Sequence, residues 1–114
     1  EPSLITDLEE YISARDFNVD FVRSHDTFIE MLPKGSSKGA ALKEYIKIMK
    51  MNNTKVIAAG DYHNDIEMLT AADIGAATAN AQQAVKEASD IVLKNTSSED
   101  AIAELIDMLY TGKI

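Results

Sequence analysis

Apolar and polar positions predict a strand followed by a helix in the stretch TKVIAAGDYHNDIEML, residues 54–69. Residues 55–59 form a short, mostly apolar run with two β-branched side chains, which is typical of a strand buried on both faces. Gly60 ends this run, Asp61 follows directly, and Ile66 and Leu69 have helical spacing. The pattern therefore predicts a strand that turns at Gly60-Asp61 into a helix over residues 66–72.

The same alternation of helix and strand patterns continues on both sides of this unit. A strand is predicted at residues 73–78 and another at 90–93, with a helix between them, and Ser97 opens a last helix with Asp100 at the capping-box position. The apolar face of the helix before residue 54 is formed by Leu42, Tyr45, Ile46 and Met49, and that of the last helix by Ile102, Leu105, Ile106 and Leu109. Strand–helix alternation implies a parallel sheet with right-handed crossovers.

The first third of the chain has a different pattern. Thr6 and Glu9 have capping-box spacing and predict a helix that ends between residues 14 and 17. Two short apolar runs at 18–24 and 27–32 predict strands, joined by a turn at residues 24–26. The loop-like segment 33–39 then marks a domain boundary, with residues 1–33 and 34–114 as the two parts.

Composition and charge limit the classes of protein that fit. The chain has 114 residues, 46% of them hydrophobic and 26% charged, as expected for one globular domain or part of one. A net charge of -8 argues against a nucleic-acid partner, since phosphate backbones are bound through Lys and Arg. Without an apolar run of roughly 20 residues or a signal-peptide pattern, we expect no membrane partner and a cytoplasmic location. The first residue is Glu1, which suggests a processed or excised piece.

Two carboxylates are expected to converge at the end of the central strand. Asp61 would lie at the carboxyl edge of a parallel sheet, where open α/β sheets bind ligands, with Asp65 on the first turn of the next helix. Oxygen ligands of this kind suit Mg²⁺. Lys38, at the entry to the preceding helix, would reach the same edge and there suit a transferred phosphoryl group. Alternatively, Asp61 merely ends a strand, Asn64 or Asp65 caps a helix, and Lys38 is solvated.

In combination, these motifs resemble the haloacid dehalogenase superfamily of phosphohydrolases. The matching segments are Lys38-Gly39, then GDYHNDIEML, then AADIGAATANAQQAVKEASDIV, and the resemblance is to the C-terminal part of its Cof-like branch over about residues 22–108. It implies an α/β fold: the C-terminal half of a Rossmann-like parallel-sheet core at 34–114, after a helix-strand-strand remnant of an α+β cap at 1–33. It also implies roles for five residues: Lys38 in catalysis, Asp61 and Asp65 at the metal, and Asn64 and Asn80 in phosphate or substrate binding.

The chain departs from the family pattern at its nucleophile. No D-x-D motif occurs in the sequence, and TANA at residues 78–81 stands where the family has Met-Gly-Asn-Ala. The resemblance thus implies a fragment of a Mg²⁺-dependent phosphatase that hydrolyses a small phosphorylated metabolite through an aspartyl-phosphate, with the nucleophile outside this chain. We expect the chain alone to be inactive, and to form a homodimer or associate with the absent N-terminal half. Two alternatives stay open: a piece of a cation-transport ATPase phosphorylation domain, and a non-catalytic binding module with this fold.

Overall fold

Two separate sheets and five helices make up the fold in the computed structural model, which describes residues 2–114 and the side chains from Ser3 onward. An antiparallel hairpin pairs β1 (Val19–His25) with β2 (Phe28–Pro33). A parallel sheet has the order β3-β4-β5, formed by Ile57–Gly60, Ile74–Ala77 and Ile91–Val92. The helices are α1 (Pro2–Ser13), α2 (Lys38–Ile48), α3 (Ile66–Ala71), α4 (Gln83–Glu87) and α5 (Ala101–Tyr110), with a 3₁₀ turn at His63–Asp65. The predicted α/β class with a parallel sheet is confirmed.

Strand β3 lies at one edge of the parallel sheet. The Val56 carbonyl, just before β3, accepts the Ile74 N–H, and the Gly60 carbonyl accepts the Thr78 N–H, so the even-numbered residues of this segment bond towards β4. Because backbone groups alternate sides along a strand, Ile57 and Ala59 present theirs to the opposite side. Within residues 2–114, no strand pairs with that side.

The core of the parallel sheet consists of two clusters in which alanines alternate with larger aliphatic side chains. One contains Ala58, Leu69, Ala77, Ala81 and Val85, and the other Ala76, Leu93, Ala101 and Leu105. Small side chains let the helices approach the strands closely, as at Gly75, where a Cβ would lie 2.8 Å from the Leu69 carbonyl oxygen. Helix α3 therefore packs closely against the sheet, and this packing fixes the position of the carboxyl end of β3.

Helix α2 begins next to α3. The Ser37 side chain caps α2 by accepting the Ala40 N–H at 3.0 Å, and Lys38 is the first helical residue. Gly39 is buried, and a Cβ there would lie 2.7 Å from the Glu67 carbonyl oxygen. This close approach brings the first turn of α2, with Lys38, to the first turn of α3.

The hairpin and α1 differ in detail from the sequence prediction. The predicted capping box of Thr6 and Glu9 is wrong, because α1 already begins at Pro2, a residue whose fixed φ suits a first helical turn. Strand β1 extends through His25, so the turn is shorter than predicted. The boundary between residues 33 and 34 stays a prediction, as does the cytoplasmic location. No helix within residues 2–114 has both the length and the apolar character needed to cross a bilayer.

Helix α5 also starts later than predicted. It begins at Ala101 and not at Ser97, and Asp100 is the N-cap residue, left-handed at φ 62° and without a capping bond from its side chain. Of the four residues expected on the buried face, only Leu105 is buried. Ile102, Ile106 and Leu109 are 55%, 47% and 39% exposed, because α5 contacts the sheet mainly through Ala101 and Leu105. Tyr45 in α2 and Met49 at its C-cap are likewise exposed.

Candidate active site

Lys38 and Asp65 form an ion pair at the carboxyl edge of the parallel sheet. The Lys38 Nζ lies 2.5 Å from Asp65 Oδ1, across 27 residues of sequence. The Lys38 side chain is half exposed, whereas that of Asp65 is almost fully buried. The structure thus brings together the lysine and one of the two carboxylates that the sequence assigned to one site.

The Asp65 carboxylate also organises the turn that follows β3. Its Oδ2 accepts the backbone N–H groups of Asp61 at 3.0 Å and Tyr62 at 3.1 Å. Burial by itself raises the pKa of Asp65, but the hydrogen bond from Lys38, the two N–H groups and the Lys38 charge lower it by more. The pKa therefore lies below its usual range, and Asp65 is ionised at neutral pH.

Gly60 is required by the way Asp65 folds back over the end of β3. A Cβ at Gly60 would lie 2.5 Å from the Asp65 Cβ and 2.8 Å from its Oδ2. Because any side chain would displace the carboxylate, the glycine allows the strand end and the 3₁₀ turn to close on each other. The Gly60-Asp61 pair thus combines two requirements: glycine leaves room for the Asp65 carboxylate, and Asp61 supplies a carboxylate at the sheet edge.

Of the two carboxylates at this site, that of Asp61 is the one available to bind a ligand. It lines an open groove of about 430 Å³ at the sheet edge, together with Lys38, Asp65, Thr78 and Ser97. Its backbone carbonyl accepts the Gln82 N–H, but its carboxylate makes no hydrogen bond to any residue in the described range 2–114. A half-buried carboxylate without a protein partner can accept a cation or a ligand donor.

Asn80 lies beside the groove, and its side chain makes hydrogen bonds to other residues of the protein. Its Oδ1 accepts the Thr78 hydroxyl at 2.9 Å and the Ser97 N–H at 2.8 Å, and its Nδ2 donates to Ser97 Oγ at 3.0 Å. Asn80 therefore ties two groove-lining residues together. Its predicted contact with phosphate or substrate is untested and stays a prediction.

Asn64 faces the hairpin side of the site. It lines two neighbouring grooves, one of them shared with Lys38, and its Oδ1 is buried without a hydrogen-bond partner among the described residues. A buried acceptor without a donor is costly, so a donor from a ligand would stabilise this arrangement. Its predicted binding role is consistent with that geometry and stays a prediction.

The donor set fits Mg²⁺ only as a weakly held, largely hydrated ion. Between residues 2 and 114, no three His, Cys, Asp or Glu side chains are grouped to hold a metal. Asp61 could supply one direct ligand, while both Asp65 oxygens already accept protein donors. Because Mg²⁺ usually keeps several waters and takes further ligands from substrate phosphate, one free carboxylate is a partial site. The metal roles of Asp61 and Asp65 stay predictions.

Two groove-lining residues were missed at the sequence level. The sequence places Thr78, 4% exposed, in a predicted strand and as a departure from the family pattern, and Ser97 at a helix start. The one available signal was the position of Thr78 as the last residue of a predicted strand, at the edge where ligands bind. Ser97 gave no such signal, because its place depends on how the loop before α5 crosses the sheet edge.

Comparison with known proteins identifies relatives over nearly the whole chain. The model of the haloacid dehalogenase-like hydrolase family matches residues 1–106. The chain is 35% identical over 91 residues to phosphoglycolate phosphatase 2 of Saccharolobus solfataricus, covering 80% of this chain and 37% of that protein. It is 38% identical over 82 residues to a pyridoxal phosphate phosphatase of Escherichia coli, covering 72% of this chain and 29% of that protein.

A similar fold occurs in a haloacid dehalogenase-like hydrolase from Bacteroides thetaiotaomicron, solved as a crystal structure. The TM-score is 0.73 at 30% identity, and the match covers 96% of this chain and 41% of that one. The chain thus spans less than half the length of each of these relatives. The resemblance seen in the sequence is confirmed, and the chain belongs to the haloacid dehalogenase-like hydrolase family.

Proposed function

We propose that this chain is the lysine- and metal-bearing part of a Mg²⁺-dependent phosphatase acting on a small phosphorylated metabolite. The observation that carries the proposal is the Lys38–Asp65 ion pair beside the free carboxylate of Asp61 in one groove. In the transition state of phosphoryl transfer, negative charge spreads over the phosphoryl oxygens. A lysine ammonium, and a metal ion held by a carboxylate, can both stabilise that charge. The two phosphatase relatives support this reaction class.

In the proposed mechanism, each residue of this chain has a separate task. Lys38 places its ammonium against the phosphoryl oxygens, and Asp65 holds that ammonium at the sheet edge. Asp61 would hold Mg²⁺, which when bound neutralises phosphate charge. An aspartate outside this chain would attack phosphorus as the bond from phosphorus to the ester oxygen breaks, and the leaving alkoxide would take a proton from solvent. Water would then cleave the aspartyl-phosphate, which releases inorganic phosphate and restores the aspartate.

The two alternatives have less support. An ATPase phosphorylation domain shares the GDxxND motif at residues 60–65, but the relatives named above are phosphatases. A non-catalytic module would have no need for a lysine held by a buried, ionised aspartate in an open groove, since burying that carboxylate is costly. The geometry therefore favours a phosphatase.

Turnover of the complete protein that contains this chain tests the proposal. A panel of phosphomonoesters is assayed with and without Mg²⁺, for the unchanged protein and for Lys38→Ala. Loss of one preorganised charge at the transition state should lower kcat by about a hundredfold or more. Asp61→Ala should be at least as damaging.

Lys43→Ala is the matched control, because Lys43 lies in the same helix and only approaches Glu67 at 3.9 Å. Its kcat should equal that of the unchanged protein. Turnover without Mg²⁺, or an unchanged rate in Lys38→Ala, would contradict the proposal.

A further inference from the structure

Tyr62 connects two distant parts of the chain at the edge of the candidate site. Its backbone N–H donates to Asp65 Oδ2 at 3.1 Å, inside the turn that carries Asp61. Its hydroxyl donates to Asp26 Oδ1 at 2.9 Å, in the turn of the β1–β2 hairpin and 36 residues away. One residue thus bonds to the carboxylate of the site through its backbone and to the hairpin through its side chain.

The position of Asp26 is itself determined by Arg23. The guanidinium donates to the Asp26 carbonyl at 3.0 Å through Nη2 and to the His25 carbonyl at 3.4 Å through Nε. Its Nη1 bonds to Glu9 Oε2 of α1 at 3.1 Å. A planar guanidinium with three acceptors has little freedom, so the hairpin turn is held in one place. A continuous series of hydrogen bonds therefore runs from α1 through the hairpin turn and Tyr62 to Asp65.

Ring contacts and burial limit the movement of Tyr62. The ring packs edge-on against His63, with centroids 5.9 Å apart, and is half-buried. Together with Arg23 and Asp26 it lines the groove between the hairpin and the 3₁₀ turn, a space of about 610 Å³. The hydrogen bond to Asp26 is charge-assisted, which makes it stronger than one between neutral groups.

We propose that Tyr62 is a positioning residue for the Asp61–Asp65 turn, with Asp26 as its partner. The bond to the hairpin limits the rotation of Tyr62, and the Tyr62 N–H in turn helps to hold the Asp65 carboxylate against Lys38. Placement of the hairpin and geometry of the site are then coupled through one side chain. The inference rests on the proposed function for its catalytic meaning, but the coupling is a property of this chain alone.

Amide hydrogen exchange in the 114-residue chain tests the coupling. The two reporters are the N–H groups of Asp61 and Tyr62, which both bond to Asp65. Tyr62→Phe removes only the hydroxyl and should accelerate exchange at both by about three- to tenfold. Tyr45→Phe, at an exposed tyrosine of α2, is the matched control and should change neither.

Asp26→Ala should reproduce the effect of Tyr62→Phe, and the double variant should exchange no faster than either single one, because all three lose the same bond. Arg23→Lys, which keeps the charge but loses the planar fork, should give a smaller acceleration at the same two amides. Acceleration confined to the amides of β1 and β2 would show a purely structural contact and overturn the proposal. The proposal would also be overturned if the two amides exchanged in Tyr62→Phe no faster than in Tyr45→Phe. Additive accelerations in the double variant would overturn it as well.

Mg²⁺ titration of the same variants separates this inference from the proposed function. If Asp61 binds Mg²⁺, the Asp61 amide shifts on titration, and Tyr62→Phe should weaken the apparent affinity by less than it accelerates exchange. If no Mg²⁺-dependent shift occurs in the unchanged chain, Asp61 does not hold the ion without the rest of the protein. The exchange result still decides whether Tyr62 positions the turn.

Discussion

Asp65 combines burial with a fixed negative charge, so the stability of the chain should depend on its protonation state. Three donors hold the carboxylate, and they lower its pKa by more than burial raises it. A group whose pKa is lower in the folded than in the unfolded state stabilises the fold above its unfolded pKa. That contribution is lost as the pH falls through the folded pKa.

The expected result is an acid-sensitive free energy of unfolding whose dependence on pH is reduced by Asp65→Asn. At pH 7 the substitution should destabilise the chain by about 1–3 kcal/mol, because donors lose a charged acceptor. Between pH 5 and pH 2, roughly the range over which such a carboxylate titrates, the unchanged chain should lose more stability than Asp65→Asn. Urea unfolding across this range measures both. If the free energy of unfolding fell equally with pH in the unchanged chain and in Asp65→Asn, Asp65 would not have a lowered pKa.

At the scale of elements, the close approach of α2 to α3 decides where Lys38 lies. Gly39→Ala provides a test in which two effects have opposite sign. Helix propensity alone predicts a gain of about 0.5–1 kcal/mol for alanine. However, the added Cβ would meet the Glu67 backbone at 2.7 Å, so the helices must separate, at a cost of about 1–3 kcal/mol.

We therefore expect Gly39→Ala to lower the free energy of unfolding, measured by urea titration. Ala41→Gly, at an exposed position of the same helix, is the propensity control and should cost about 1 kcal/mol. A more stable Gly39→Ala variant would mean that α2 and α3 are farther apart than the structure has them.

At the scale of the whole molecule, the free edge of β3 lies beside apolar surface. Ile102 lines the groove along this edge with Ala59 and Met68, and Ile106 and Tyr110 on α5 are also exposed. Exposed strand edges pair with other strands, and contiguous apolar patches favour association. The net charge of -8 opposes nonspecific aggregation, so a discrete dimer is the expected form.

Light scattering over a concentration series should show this dimer, and Ile102→Lys should shift it towards monomer. Leu4→Lys, at an exposed position of α1, is the control and should leave the dimer intact. A strictly monomeric chain that unfolds cooperatively at high concentration would contradict the prediction.

The isolated chain should bind Mg²⁺ weakly, because among residues 2–114 Asp61 is the one carboxylate in the groove without a hydrogen bond to the protein. We expect a dissociation constant of about 1 mM or weaker, since few direct ligands compete poorly with the hydration shell of the ion. Calorimetry measures the affinity, and Asp61→Asn should abolish what binding there is. Micromolar binding would show that the chain holds a complete site.

Hydrolysis of phosphate esters by the isolated chain should be negligible. Positioning and electrostatic groups without a nucleophile cannot form the covalent intermediate. The measurement is release of phosphate from a generic phosphomonoester by chain purified free of contaminating phosphatases. Sustained turnover that Lys38→Ala abolishes would place a nucleophile within these residues.

The sequence by itself determined the order of helices and strands, the parallel sheet and the turn at Gly60-Asp61. These features follow from hydrophobic periodicity and from residues adjacent in the chain, which a sequence displays directly. It also indicated that Lys38 and Asp65 belong to one site, through the family motif.

Only the tertiary structure decided which partners those side chains have. Asp65 bonds to Lys38 across 27 residues, and Asn80 bonds to Ser97 across 17, which no local pattern encodes. The exposure of Ile102 and Ile106 likewise could not be predicted from the apolar periodicity of α5, because an apolar face is buried only where another element covers it.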